Sequence, residues 1–176
     1  MRIPILVVLL FTLVSCAPNA RPATQALRAG DPMPAVRLVN LRGEAVNLES
    51  YRNQPVLVNA WGTWCGPCRE EMPMLKKLQE QYRKAGLKII GINFGDSRAK
   101  LDAYLKTNPL GFETWLEGAD TDSTRELLRA WQGSKSGSVG VPFSFAVGRD
   151  GRVAGVVFGY DPSGRALEDL VTRAMK

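Results

Sequence analysis

Residues 56–73 read VLVNAWGTWCGPCREEMP. The run Val56–Trp61 is apolar and short, which suits a central strand. From about Gly66 to Lys84, Leu75, Leu78 and Tyr82 recur at helical spacing. Cys65 and Cys68 thus sit at i and i+3 where strand becomes helix, one turn apart. At a helix start, unpaired N–H groups and the helix dipole stabilise negative charge and lower a thiol pKa from ~8.5 into a reactive range. Pro67 is tolerated there because a first-turn residue has no N–H partner to lose. Cys65 is read as the attacking, more exposed thiol and Cys68 as the resolving one.

Such a pair can exchange electrons, hold a metal or staple a loop. The chain contains no histidine, which excludes Ser-His-Asp hydrolysis, papain-like catalysis and His-ligated metal sites. Zinc needs four ligands, and beyond Cys65 and Cys68 the only other cysteine is Cys16. No metal and no cofactor is therefore expected. A disulfide that closes two intervening residues gains little from closure entropy, so an inert staple is the weaker reading.

Outward toward the N-terminus, residues 1–16 read MRIPILVVLLFTLVSC. A basic start, Arg2, precedes the apolar run Ile5–Val14, which is too short to span a bilayer and has the form of a secretory signal. Leu13-Val14-Ser15-Cys16 resembles the lipobox of bacterial lipoproteins, a family in which cleavage precedes the cysteine and lipid is added to its sulfur. The expected organisation is a signal peptide over 1–15, a lipidated N-terminus and tether over 16–32, and a domain over 33–176. The uncleaved alternative is a membrane anchor. Either places the domain outside the cytoplasm on a membrane.

The body of the chain is ordinary in composition, 45% hydrophobic and 23% charged with a formal charge of +6. Its cations are scattered, so nucleic acid is not an expected partner. Val36–Asn40 alternates as a strand and turns through Arg42-Gly43 toward Ala45–Leu48. Leu87–Phe94 forms the next strand, and strand–helix–strand implies parallel pairing. A second helix starts at Asp96 or Ser97, with Leu101, Tyr104 and Leu105 on one face. Phe112–Leu116 is a short strand. Ser123-Thr124-Arg125-Glu126 matches a capping box before Leu127, Leu128 and Trp131. Residues 133–140 form a Ser/Gly-rich loop. Pro142–Val147 and Val153–Phe158 flank Arg149-Asp150-Gly151 as a hairpin. The last helix carries Leu167, Leu170, Val171 and Ala174 on one face, with Ser163 as its cap. The class is α/β.

Val56–Pro73 resembles the active-site segment of thioredoxin-fold proteins, and most closely the extracytoplasmic TlpA/ResA-like thiol-disulfide oxidoreductases. The resemblance covers about residues 30–176. It implies a thioredoxin-like fold: a central mixed sheet flanked by helices, an N-terminal β-hairpin and a central helix-containing insert. It implies a redox-active Cys65–Cys68 disulfide, and Pro73 as the family's kinking proline. Glu71, at i+3 from Cys68, matches a glutamate of many members; a carboxylate there can take up a proton when burial raises its pKa. Helix starts favour acids in any case, as Glu70 shows. Asn59 stands where cytoplasmic thioredoxins keep a buried aspartate, and reads equally as a strand-end residue satisfying backbone groups. Gly140-Val141-Pro142-Phe143 resembles the cis-proline segment, implying substrate docking at Val141 and Pro142. Trp61 is read as packing and Trp64 as a rim residue of the docking surface.

The implied activity is reduction of protein disulfides, for example in cytochrome c maturation. The implied partners are disulfide-containing proteins such as an apocytochrome c, a membrane thiol-reducing electron donor, and the membrane through Cys16. A peroxiredoxin-like thiol peroxidase is the enzymatic alternative, but its signature threonine three residues before the cysteine is here Gly62. A Sco-type copper carrier is the non-enzymatic one, and its CxxxC and histidine are both absent.

Overall fold

A computed structural model of the chain describes residues 26–116, 132 and 140–176. The expected signal segment, Cys16, the capping box at Ser123–Glu126 and the loop 133–139 lie outside the described residues. The elements are β1 (Arg37–Asn40), β2 (Ala45–Asn47), β3 (Val56–Trp61), α1 (Gly66–Tyr82), β4 (Lys88–Asn93), α2 (Arg98–Thr107), β5 (Glu113–Leu116), β6 (Phe143–Val147), β7 (Val153–Phe158) and α3 (Arg165–Ala174). The strands form one mixed sheet in the order β2-β1-β5-β4-β3-β6-β7. β3 and β4 pair in parallel from Val56↔Lys88 to Trp61↔Asn93, as the strand–helix–strand pattern requires. β6 runs antiparallel to β3, with Ala60 opposite Phe143 and Val56 opposite Val147. The β1–β2 hairpin joins the sheet through β5, with Val39 opposite Leu116. This is the thioredoxin-like fold, with α2 and β5 set between β4 and β6.

Every residue of β3 is buried, so its two faces feed two cores. Leu57 and Trp61 join the layer under the helices, with Leu75 and Leu78 of α1, Leu101 of α2, and Leu167, Leu170 and Val171 of α3. Val56, Val58 and Ala60 face the other way, against Phe143, Phe145, Trp115, Leu38 and Leu48. Burial of each large aliphatic side chain contributes about 1.5–3 kcal/mol, so the α1 register over β3 is strongly held. Position 59 shares the helix-facing parity of Leu57 and Trp61.

Two local expectations are corrected. α1 ends at Tyr82, short of Lys84, because a 3-10 turn over Arg83–Ala85 leads into Gly86 at φ 91°. The N-cap position of α3 is Gly164 and not Ser163, and the free N–H groups of the helix start are shared: Asp161 Oδ2 accepts from the Ala166 N–H at 3.0 Å and Ser163 Oγ from the Arg165 N–H at 3.3 Å. The Ser163 hydroxyl also donates to Asp161 at 2.7 Å, and the carboxylate makes the shorter bond to the helix start. α2 begins as read, with Ser97 Oγ accepting from the Lys100 N–H.

The packed structure also begins earlier than residue 33. Leu27 is buried in the sheet-side core. The Gly30 and Met33 N–H groups donate to Val153 and Gly151 carbonyls, and the Val153 N–H donates to Asp31, each at 2.8 Å. Average composition across an Ala/Pro-rich stretch hides the two apolar residues, Leu27 and Met33, that dock it. Among the described residues, no helix is long and apolar enough to cross a membrane.

Candidate active site

Cys65 is the N-cap of α1, and Cys65 and Cys68 are joined in a disulfide. The Cys68 N–H donates to Cys65 Sγ at 3.1 Å, so one of the free donors of the helix start points at this sulfur. Cys68 is fully buried, whereas Cys65 keeps 5% exposure, so Cys65 is the more exposed of the two sulfurs. Pro67 occupies the first turn. Pro73 lies inside α1, where it withdraws an N–H from the Arg69 carbonyl.

The facing wall comes from β6. The Val141–Pro142 peptide is cis, and the Val141 carbonyl oxygen lies 3.7 Å from Cys65 Sγ. The Gly159 N–H donates to the Pro142 carbonyl at 2.9 Å, tying the end of β7 to this turn. Phe158, exposed at 58%, packs at a tilt of 43° against Phe143, with ring centroids 5.0 Å apart. On the other flank, Trp64 is 51% exposed while its Nε1–H donates to the Phe94 carbonyl at 3.0 Å. Its ring lies over Gly62, where a Cβ would fall 2.5 Å from Nε1, so glycine is required at that point. Trp61, by contrast, is completely buried beside Tyr104.

A buried carboxylate anchors the loop that carries Trp64 and Cys65. Asp96, whose side chain has no exposed surface, accepts from the Thr63 N–H at 2.7 Å, the Thr63 hydroxyl at 2.6 Å and Asn93 Nδ2 at 3.0 Å. Lys100 Nζ lies 2.8 Å from Asp96 Oδ1, the oxygen that also accepts from the Thr63 hydroxyl. Burial alone raises its pKa, but bonds from Lys100, Thr63 and Asn93 together outweigh this and hold it below the usual aspartate value. Sequence reasoning marked Asp96 only as a helix boundary. The signal available was an acid immediately before a serine cap, at the end of the strand beside β3.

Glu71 is 3% exposed, on the buried face of α1 three residues beyond Cys68. Burial pushes its carboxyl up to about 7; the Asn59 N–H pulls it down, and the nearby charge of Asp161 adds to the rise. Asn59 Nδ2 donates to Glu71 Oε2 at 2.8 Å and to Ser144 Oγ at 3.0 Å. Asn59 therefore bonds side chains of α1 and β6 and is more than a strand-end residue satisfying backbone. Its helix-facing parity on β3 was legible; the partner was not.

A redox disulfide at a helix start, faced by a cis-proline turn on a thioredoxin-like sheet, defines the class: a thiol-disulfide oxidoreductase. Comparison with known proteins agrees. Residues 28–172 match the Redoxin family. The thiol-disulfide oxidoreductase ResA of Geobacillus kaustophilus is 30% identical over 161 residues, covering 90% of this chain and 86% of that protein. ResA of Bacillus subtilis is 29% identical over 135 residues, covering 77% of this chain and 70% of that protein. A crystal structure from Chlorobium tepidum, described as a thiol:disulfide interchange protein DsbE, superposes with a TM-score of 0.72 at 26% identity and covers 86% of this chain and 100% of its own. The chain belongs to the Redoxin family, as a TlpA/ResA-like thiol-disulfide oxidoreductase.

Proposed function

We propose that this protein is a membrane-tethered reductant of protein disulfides acting outside the cytoplasm. The observation that carries the reading is the Cys65–Cys68 pair at the start of α1, with one sulfur at the rim and the other sealed beneath it. In the reduced enzyme the Cys65 thiolate attacks a substrate disulfide, forming a mixed disulfide and releasing one substrate thiolate. Cys68 then attacks Cys65 Sγ, its proton passing to Glu71, and the second substrate thiolate leaves. The substrate has gained two electrons and leaves as two thiolates, which take their protons from water, while Glu71 returns its proton to solvent and the enzyme holds its disulfide. A membrane thiol-reducing electron donor restores the dithiol.

Residues 1–15 act as the signal peptide, Cys16 receives lipid, and the segment up to the docked Leu27 joins the lipid to the domain. Trp64, Val141 and Pro142 form the docking surface for the substrate chain. An apocytochrome c, whose paired cysteines must be reduced before haem attachment, is the substrate to test first.

Cys65→Ser is expected to abolish reduction of insulin disulfides, and Cys68→Ser to accumulate a covalent enzyme–substrate complex visible on a non-reducing gel. Turnover retained by Cys65→Ser would sink the reading. Membrane fractionation of the wild type and Cys16→Ala tests the tether, with loss from the membrane expected in the variant.

A further inference from the structure

We propose that Asn59 is a positioning residue for the thiol chemistry, holding Glu71 on the buried face of α1 and donating an N–H that favours its carboxylate form. This rests on the reading of Glu71 as the proton acceptor for Cys68. The geometry is specific. Asn59 is fully buried on β3, and its Nδ2 reaches Glu71 Oε2 at 2.8 Å and Ser144 Oγ at 3.0 Å. Both amide hydrogens are therefore used, one on each neighbouring element. Its Oδ1 has no hydrogen-bond partner among the described residues. Turning the amide over would set both N–H groups at that unpartnered place, so the donor end is held toward Glu71.

The chemical consequence follows from what an amide can offer. It donates to a carboxylate without bringing charge, and so opposes the effect of burial, which favours the neutral acid. An aspartate at the same position would place a second carboxylate against the first, and the two could not both ionise at neutral pH. The charged group acting on Glu71 from the β7–α3 connection is Asp161, which favours the neutral acid. Cys68 on α1 titrates once reduced. β3 and β6 contribute the uncharged Asn59 and Ser144. Asn59 is thus the donor that keeps a buried acid able to ionise near neutrality and to receive a proton in the resolving step.

The test reads Glu71 directly, by carbon NMR of its side-chain carboxyl during a pH titration of the disulfide form, in which neither sulfur titrates. Asn59→Ala is expected to raise the Glu71 midpoint by about one pH unit, the scale of one hydrogen bond to a charged group. Asn59→Asp, which preserves side-chain volume, is expected to give two coupled steps with one midpoint above that of the parent. In the reduced protein, the pH profile of thiol alkylation should shift in Asn59→Ala and show no further shift when Glu71→Gln is also present. An unchanged Glu71 midpoint in either Asn59 variant would overturn the proposal, as would a reactivity change that persists in the Glu71→Gln background. Should Asn59→Ala fail to fold, the Asn59→Asp titration decides alone. None of these readings depends on turnover, so failure of the reductase reading in Cys65→Ser is a separate result.

Discussion

Glu71 couples stability to pH as well as chemistry to protons. Its folded midpoint stands at about 7 against an ordinary 4.5. Between those values the folded chain holds a proton that the unfolded chain has released, so stability from this group is complete below pH 4.5 and declines as pH rises through 7. The decline is on the order of 3 kcal/mol. Glu71→Gln should flatten this slope, read as urea-unfolding free energy at pH 5 and pH 8 in the disulfide form. An equal slope in parent and variant would show that other groups carry the pH dependence. At this scale the sequence was informative where chemistry depends on spacing along one element. The i, i+3 cysteines and Glu71 one turn further follow from helical geometry alone. The Asn59 contact joins residues twelve apart on different elements. It depends on how α1 lies over β3, which no local pattern specifies.

The elements around the pair divide into a rigid wall and an anchored loop. Val141 and Pro142 lead directly into β6, a strand held on both sides, by β3 and by β7. The Gly62–Trp64 loop has no such ladder and relies on the β4–α2 connection, where Asp96 receives both Thr63 donors and Asn93. Asp96→Ala should therefore destabilise the protein by roughly 2–4 kcal/mol, since buried donors lose their acceptor. A denaturant midpoint equal to that of the parent would contradict this. Strand positions and the helix-start cysteines were readable because periodicity and apolar runs report burial. The cap of α3 was read only in part, because Ser163 and Asp161 both suit a helix start and the two share its N–H groups, Ser163 taking that of Arg165 and Asp161 that of Ala166.

At the scale of the whole molecule, the sheet is extended at its rim by the segment from Leu27 to Met33, which lies along the β6–β7 turn. Leu27→Ala should cost about 2–3 kcal/mol through lost burial and a residual cavity, with an unchanged dependence on denaturant concentration. A neutral result would mean that this segment adds nothing to the core. Composition could not locate this boundary, because docking needs only two apolar residues and a row of backbone bonds. The attachment also gives the molecule a polarity. β3 leads from Val56 to the cysteines, and antiparallel β6 leads from the cis-proline turn back to Val147, just before the turn that receives residues 30–33. The entering chain and the disulfide thus occupy opposite ends of the central strands, about 20 Å apart. With the lipid proposed for Cys16, the domain would be held from the side of its entering chain, at the end of the central strands opposite the disulfide, so soluble partners would meet the pair head-on while a donor embedded in the membrane would have to reach around or wait for the domain to tip.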